Sequence, residues 1–542
     1  MAMHEWLVMA CGAVCRGVAA AANAAPTVLC GLVVAAVIRE LFGTALTRRL
    51  LAAGSWWSLV RAWLLGMLLP VCSIGAIPVA RELRRAGLAG GAVLAFAVSA
   101  PLFNPISLLY GLTLSHPLVI AGFALASMLV VTAVGLAWER LGGAEDLPPA
   151  AAEPTISPGY RRAAALGLSA AREAAGPTAG YAAVAIVGVG MLAACLPFGS
   201  LQRSMKAFDP WAPPLMAAVG TPAFLTPTDA MMQVGSMFDH GNSVGAAYVL
   251  LSVGAGLNLG LIAWAWRSWG RQRTLRWLVL FFGTVLLIAA AIERPLSFRD
   301  SPPEDHTHAF DVFCMPFPPE TPDPVARSAA VLADRAPAHA WAALGLLALL
   351  ATAGAALRLF DPRCGLEARL ERGVLAAGQA ARGRSLDVTV PAPVLGAVLL
   401  GGLVAMSVAA AYLYYPDLPT CLEDLRFVES ETHSAALAGD KRRTQVWIAA
   451  WEDLVRRTEV GIWIRRGTVS REMTATAEAL RERIEALEHA VLDAEIIDRE
   501  QVAAELKRVL DAGRDHREAL RAPACAAGCP GGPANPSEAA TN

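Results

Sequence analysis

The chain has 542 residues, of which 55% are hydrophobic and 17% charged, and its formal net charge is −1. One globular core would not need so many apolar segments, so the composition indicates an integral membrane protein with a polar appendix. Arginines are scattered through loops rather than gathered on one face, which argues against a nucleic-acid partner. The sequence has no phosphate-binding loop, dinucleotide-binding glycine fingerprint, serine-hydrolase elbow or zinc-protease helix. We therefore predict neither an enzyme nor a cofactor.

The first apolar stretch, residues 4–23, carries Arg16 in its middle. This pattern favours an interfacial helix over a full span, and Pro26 then begins a span that ends near residue 42. The start of the chain lacks the basic region of a cleaved signal peptide, so we expect insertion to depend on the helices themselves. Arginines between residues 39 and 61 place the next loop in the cytoplasm by the positive-inside rule.

A broken apolar segment follows at residues 56–78, where Pro70, Gly75 and Pro78 deny the backbone a continuous hydrogen-bond ladder. Such a break is tolerated at membrane depth only beside protein or a water-filled cavity. Basic residues flank the segment on both sides, so we predict that 56–85 is a re-entrant hairpin. The alternative is a kinked helix pair whose role is packing alone.

The rest of the apolar sequence predicts two further spans and then a second half with the same pattern. Spans at 88–115 and 117–138 are followed by residues 139–176, which mix Glu, Arg, Pro and Ala without apolar periodicity and predict a cytoplasmic linker. A span at 177–197 precedes residues 211–238, which several prolines and Gly220 interrupt, so we expect a second hairpin there. The final spans of this half are predicted at 243–266 and 275–292.

The two halves align with each other when the first is shifted by 154 positions. The matched pairs are Gly87 with Gly241, Gly91 with Gly245, Ala92 with Ala246, and Asn104 with Asn258. The distribution of arginines independently gives the halves opposite orientations. Both observations predict an inverted-topology repeat.

The C-terminal third combines two more spans with a polar helical region. Polar residues 293–337 are expected outside, spans at 340–359 and 394–415 flank an arginine-rich inside loop at 361–388, and the remaining tail is soluble in character. Helical spacing within the tail predicts buried positions and a small helical module or oligomerisation surface. These positions are Trp447, Trp451, Leu454, Val455, Leu480, Ile484, Leu487 and Val491.

We therefore predict an all-α polytopic membrane protein with two inverted-topology halves, each containing a broken or re-entrant hairpin, two additional transmembrane helices and a C-terminal soluble helical module. Its partners are the lipid bilayer, a small solute or ion, and either a second copy or a periplasmic protein bound through 416–522. The expected location is the bacterial inner membrane, with the C-terminal module outside. The predicted boundaries are 1–142, first half; 143–176, cytoplasmic linker; 177–292, second half; 293–339, extracytoplasmic loop; 340–415, two added spans; 416–522, helical module; and 523–542, disordered tail.

The run at residues 71–80, Val-Cys-Ser-Ile-Gly-Ala-Ile-Pro-Val-Ala, is followed at 83–87 by Leu-Arg-Arg-Ala-Gly. This run resembles the first signature of the predicted-permease family that includes YraQ and the organoarsenical exporter ArsP. The resemblance extends over roughly 25–292, continues at Pro101 and Asn104, and implies a membrane permease.

Two departures from the family pattern bear on the substrate. Ile74 stands where the family has its second signature cysteine, and the cysteine and proline of the second half are replaced around Thr226 and 231–232. Trivalent arsenic prefers two or three thiolates. The resemblance therefore implies a permease more firmly than it implies arsenic as the substrate.

The predicted substrate site lies between the two broken segments. Asp229 is its only fixed charge and is expected to bind a cation or carry a proton, unless the hairpin makes it an ordinary helix cap at the outer interface. The two asparagines either contact the substrate or form interhelical hydrogen bonds. The predicted site residues are Cys72, Ser73, Gly75, Asn104, Thr226, Asp229 and Asn258.

A second candidate site lies in the polar loop after the second half. His306 and His308 share one side of an extended strand, and Asp311 and Cys314 follow them. This set suits a soft metal, although such a loop is more often ordinary polar surface.

The sequence thus predicts an ion- or proton-driven secondary permease or efflux transporter. The alternative is a sensor or assembly subunit that does not transport and binds a partner through 416–522. A polar cavity around Asn104 and Asn258 would favour the first hypothesis, and sealed apolar packing there would favour the second.

Overall fold

The computed structural model describes residues 2–51, 56–104, 107–108, 111, 117–141, 160–297, 310–363, 365–366, 391–415, 417–492 and 499–521. Within these residues the protein is helical and has no β-strand. The chain divides near residue 408 into a membrane unit and a C-terminal unit.

Among the described residues, the first half of the membrane unit contains six helices with defined bounds. Its first two helices are joined by a π-helical turn at Ile38–Phe42. The fourth helix ends at two arginines, which suit the negative end of its dipole, and Gly87 then turns the chain with a φ of 79°. The helices are α1 (Ala2–Val37), α2 (Gly43–Leu51), α3 (Trp57–Leu68), α4 (Ala76–Arg85), α5 (Gly90–Ser99) and α6 (Pro117–Leu141).

The second half contains seven helices among the described residues. A π-helical turn at Leu250–Ala255 continues its fifth helix, which with the next helix forms a pair bent by 60°. The helices are α7 (Tyr160–Ala174), α8 (Pro177–Cys195), α9 (Ala212–Ala223), α10 (Pro227–Asp239), α11 (Val244–Val249), α12 (Leu259–Trp269) and α13 (Arg271–Glu293).

In the part of the chain that the structure describes, three more helices follow in the membrane unit's sequence, and four form the C-terminal unit. They are α14 (Pro324–Arg335), α15 (Ala338–Phe360), α16 (Ala392–Tyr414), α17 (Leu418–Leu437), α18 (Lys441–Arg466), α19 (Arg471–Leu492) and α20 (Arg499–Arg521). By length and composition, the described residues contain six helices able to cross a membrane, or seven if the bent pair is one span. The six lie at Met3–Leu51, Leu118–Arg140, Pro177–Cys195, Arg271–Glu293, Ala338–Phe360 and Ala392–Ala410.

Helix α1 runs through Pro26 without a break, so residues 4–23 do not form the separate interfacial helix that we predicted. Arg16 is 6% exposed, and its guanidinium donates to the carbonyl oxygens of Asp311 at 2.6 Å and Cys314 at 3.0 Å. These carbonyls solvate the charge inside the protein. Arg16 therefore does not need to lie at the membrane interface. The prediction was wrong because it assumed that only the interface could solvate this charge.

The predicted linker contains helix α7, although we expected no regular structure there. The apolar part of its buried face consists of alanines, among them Ala165, Ala170 and Ala174, and such small residues do not produce a strong apolar pattern in the sequence. Glu173 on α7 and Thr178 both pair with Arg81 of α4, with 2.7 Å between the arginine and the Thr178 hydroxyl. Residues between the halves are thus packed into the membrane unit.

Contacts within the two halves recur at the 154-residue spacing. A Cβ added at Gly91 would lie 2.9 Å from the carbonyl oxygen of Gly135, and one at Gly245 would lie 2.7 Å from that of Ala289. Likewise, Gly66 lies against Ala100 and Gly220 against Gly254. In both cases, each residue of the first contact lies 154 positions before the corresponding residue of the second contact. The starts of α5 and α11 are also 154 positions apart, as are the starts of α6 and α13.

The C-terminal unit is a four-helix bundle in which neighbouring helices pack side by side around one apolar core. Two ion pairs, Arg481 with Glu459 at 3.1 Å and Arg517 with Glu429, join different helices of the bundle. The positions predicted from helical spacing are in or against this core: Trp451, Leu454, Val455, Leu480, Ile484, Leu487 and Val491 are buried, and Trp447 packs against them.

Candidate functional site

The first break, between α3 and α4, is a buried irregular segment capped by its own cysteine. Cys72 and Ser73 are both 0% exposed. The N–H of Gly75 donates to Cys72 Sγ at 3.4 Å, and the N–H of Ala76 donates to the Cys72 carbonyl at 2.8 Å. Cys72 thus satisfies the start of α4, whereas Ser73 Oγ has no hydrogen-bond partner among the described residues.

Glycine at two positions lets α1 approach this break. A Cβ at Gly75 would lie 2.6 Å from the carbonyl oxygen of Thr27, and a Cβ at Gly31 would overlap the carbonyl of Gly75. Only glycine, which has no Cβ, fits where two backbones are this close. The irregular backbone is therefore covered by protein, as the absence of water in hydrocarbon requires.

The second break, between α9 and α10, is capped by a threonine and an aspartate. Thr226 Oγ1 donates to Asp229 Oδ2 at 2.7 Å and accepts from the Asp229 N–H at 3.2 Å. Asp229 is half-buried in the first turn of α10 and contributes to a helix cap. This is one part of the alternative that we considered, and the depth of Asp229 in the membrane stays a prediction. The N–H of Leu225 also donates to the carbonyl oxygen of Gly254 at 2.9 Å, which attaches this break to the π-helical turn.

Two further breaks, at residues 100–104 and 256–258, were not predicted, because we expected straight spans there. Asn104 Oδ1 accepts from the N–H of Ser107 at 2.6 Å, and Asn258 Oδ1 accepts from the N–H of Leu261 at 2.8 Å. The side-chain oxygen of each asparagine therefore caps the residues that follow it, and the choice between substrate contact and interhelical hydrogen bonds stays open. Asn258 is 1% exposed, and its Nδ2 has no partner among the described residues.

One direct contact and one shared apolar cluster connect the breaks within the membrane unit. A Cβ at Gly256 would lie 2.9 Å from the Leu102 side chain, so the third and fourth breaks touch across the two halves. Cys72, Ile74 and Phe224 belong to one buried apolar cluster, which links the first and second breaks. The predicted site residues thus lie on four connected breaks, while a cavity common to all of them stays a prediction.

Glu293 is a partly buried capping residue that the sequence analysis missed, because it was assigned to the start of a loop. Its Oε2 accepts from the N–H of Gly245 at 2.6 Å and from Ser243 Oγ at 2.8 Å. Glu139, 154 positions earlier, lies with its Oε1 3.5 Å from the place of a Cβ on Gly91. The same 154-residue shift would have pointed to Glu293 at the start of α11 and to Glu139 at the matching position beside α5.

The candidate metal loop is only partly within the described structure, since His306 and His308 lie outside the described residues. The Asp311 carboxylate accepts from Gln202 Nε2 at 2.9 and 3.2 Å, and buried Cys314 has its Sγ 3.6 Å from Ser200 Oγ. Across the part of the chain that the structure describes, no group of three or more His, Cys, Asp or Glu side chains is placed to hold a metal. The metal site therefore stays a prediction.

Several apolar helices long enough to cross a bilayer, together with buried helix breaks, define a multi-pass membrane protein of the transporter class. The chain belongs to the predicted permease family, whose family model matches residues 16–294. It is also similar to the UPF0718 protein YcgR of Bacillus subtilis (strain 168), with 29% identity over 114 residues. That match covers 20% of this chain and 39% of the relative. No solved structure matches the chain.

Proposed function

We propose that the protein is an inner-membrane secondary permease that moves a small solute or a metal or metalloid species, with its substrate site among the four helix breaks. The observation that carries the proposal is the buried polar donors at these breaks, Ser73 Oγ and Asn258 Nδ2, which have no partner in the described chain. A polar group buried without a partner is costly, and function is a common reason to retain one in a membrane.

The repeated contacts support an inverted-topology repeat as the frame of this site. In such transporters the broken helices of both halves meet near the bilayer midplane, and alternating access rocks one half against the other. The contact of Gly256 with Leu102 joins positions that are themselves 154 residues apart. We propose that the axis relating the halves passes beside this contact.

Asp229 is the proposed coupling residue, because it combines a helix cap with an ionisable group at the second break. Its Oδ2 is held by Thr226, whereas the half-buried carboxylate still has a second oxygen for a proton or cation. Cys72 would add one soft ligand at the first break. This combination suits a proton- or ion-coupled carrier.

The test compares the accumulation of a panel of metals, metalloids and small solutes in cells with and without the protein. For a solute whose accumulation changes, Asp229→Asn is expected to abolish transport at unchanged membrane abundance, and Cys72→Ser is expected to alter substrate preference more than rate. Asp209→Asn, on the loop before α9, is the matched control and should transport normally. Normal transport by Asp229→Asn would remove the coupling role.

A second candidate function is supported by the close packing around the asparagines. Asn104 is 3% exposed and Asn258 is 1% exposed, and each oxygen is used as a helix cap. A sealed core combined with a separate helical bundle also suits a sensor or assembly subunit that binds a partner through 416–522. Deletion of the bundle separates the two hypotheses, because a permease core would still transport whereas an assembly subunit would lose its partner.

A further inference from the structure

Strained backbone positions lie near both ends of helix α9. In the part of the chain that the structure describes, the non-glycine residues with positive φ are Met205 at 63°, Phe208 at 61° and Phe224 at 44°. The Cβ of an L-residue comes too close to its own backbone in this region, which glycine occupies readily. Two of the three residues precede the start of α9 at Ala212, and the third directly follows its end at Ala223.

The two strained residues before α9 are held by the start of α11 and by its capping side chain. The N–H of Ser243 donates to the carbonyl oxygen of Met205 at 2.9 Å. The N–H of Phe208 donates to Glu293 Oε1 at 2.9 Å, while Oε2 of the same carboxylate caps α11. Strained backbone persists only where the surrounding structure holds it. The Glu293 side chain therefore joins the segment before α9 to α11.

The strained residue after α9 is held by the π-helical turn that continues α11. Leu225, the next residue, donates its N–H to the carbonyl oxygen of Gly254 at 2.9 Å. Between its ends, α9 approaches the same turn closely, since a Cβ at Gly220 would lie 3.3 Å from the Gly254 nitrogen. The other side of α9 is exposed at Trp211 (74%) and Leu215 (39%). Helix α9 is thus attached along one side and open on the other.

The first break does not carry the same strain at the matching position. Pro70 lies 154 positions before Phe224, and its ring locks φ at about −65°. The covalent ring fixes this position of the first break, whereas hydrogen bonds hold the strained position of the second. Stored strain therefore favours opening of the second break.

We infer that α9 is a gate beside the second break and that Glu293 is the positioning residue that keeps it closed. In the closed state the carboxylate holds Phe208 in its strained conformation. Release of Glu293 lets the residues at both ends of α9 return to negative φ, so α9 moves away from the π-helical turn and exposes Thr226 and Asp229. The purpose of this gate rests on the proposed permease function, whereas its test needs no transported solute.

The test is hydrogen exchange of the full-length protein in detergent, followed by mass spectrometry of peptides that cover residues 205–211 and 224–226. Glu293→Gln keeps the size of the side chain but removes its charge and one acceptor. Loss of a charge-assisted hydrogen bond should raise the exchange rate of both peptides on the order of tenfold. Glu320→Gln, at an exposed glutamate of the loop before α14, is the matched control and should leave both rates unchanged.

Phe208→Gly gives a readout that a purely structural role would not produce. The variant keeps the N–H that donates to Glu293, and glycine adopts positive φ readily. It should therefore slow the exchange of both peptides about two- to fivefold, opposite to the effect of Glu293→Gln. Phe198→Gly is the matched control, because Phe198 is a 44% exposed phenylalanine before α9 without positive φ. Glycine there should leave exchange unchanged or raise it.

Three results would overturn the inference. They are unchanged exchange in Glu293→Gln, a rise that is confined to 205–211 or spread equally over α6 and α8, and faster exchange in Phe208→Gly. Size-exclusion profiles identify a variant that fails to fold, and Phe208→Gly tests the inference alone if Glu293→Gln is lost in this way. Predicted exchange in a protein that moves no solute would contradict the proposed function and support the gate.

Discussion

Helix breaks at membrane depth depend on a few side chains that replace missing backbone hydrogen bonds. Cys72, Thr226, Asn104 and Asn258 each cap the helical residues that follow a break. The sequence identified all four as site residues, but it predicted that they bind the substrate and did not predict that they cap helices. Two donors at the breaks, Ser73 Oγ and Asn258 Nδ2, have no partner among the described residues. They are therefore better candidates for substrate contact than the capping atoms.

A buried histidine in the C-terminal bundle gives the clearest pH dependence. His516 is 0% exposed, its Nδ1 lies 3.1 Å from Thr476 Oγ1, and its Nε2 has no partner among the described residues. Burial, assisted by the nearby Arg481 charge, lowers the pKa of His516 from 6.5 to about 4. Because the folded state binds this proton less readily than the unfolded state, the bundle is fully stabilised above pH 6.5 and loses stability as the pH falls toward 4.

We therefore expect the bundle to lose about 3 kcal/mol of opening free energy between pH 6.5 and pH 4, and His516→Gln to lose less over the same interval. Hydrogen exchange of peptides from α19 and α20, corrected for the intrinsic effect of pH, measures this difference. His489→Gln is the control, since His489 is partly exposed on α19. A pH dependence that is the same in all three proteins would contradict the assignment.

At the scale of elements, the sequence predicted the breaks at Pro70 and Pro227 but missed two others. These are the break at 100–104, although it contains Pro101, and the break at 256–258, which contains no proline. Proline removes a backbone donor, so its effect is local and visible at Pro70 and Pro227. The break at 256–258 depends on a π-helical turn and on the contact of Gly256 with Leu102, which an apolar run does not reveal. The continuity of α1 at Pro26 and the packing of the alanine face of α7 likewise depend on neighbouring helices.

The contact between α1 and the first break gives a prediction at this scale. Gly31→Ala should lower the stability of the membrane unit by about 1–3 kcal/mol, because the new Cβ overlaps the carbonyl of Gly75. The midpoint of thermal unfolding in detergent, followed by size-exclusion chromatography, measures the loss. Gly283→Ala is the matched control in α13, where nothing lies within 4 Å of the added Cβ, and it should leave the midpoint unchanged or slightly raised. Equal midpoints for both variants would show that α1 does not seal the break.

At the scale of the whole molecule, arginine-rich loops decide the expected orientation. The segments 267–276 and 361–388 hold many arginines, so we place them in the cytoplasm and place 293–337 and 416–542 outside. Alkaline phosphatase fused after Asp417 should therefore be active, and a fusion after Arg382 should be inactive. The reverse pattern would invert the last spans and put the helical bundle in the cytoplasm.

The central claim, that a substrate path passes through the connected breaks, is tested most directly by thiol accessibility at the two unpartnered donors. Ser73→Cys and Asn258→Cys would be exposed to a membrane-impermeant thiol reagent in intact cells and in inverted vesicles, with modified sites identified by peptide mass spectrometry. Ala340→Cys is the control, because that side chain is buried against α1 outside the family-matched region. Alternating access predicts modification of both break positions from each side of the membrane and none at position 340. If positions 73 and 258 are as protected as position 340 from both sides, the breaks are structural and the path lies elsewhere.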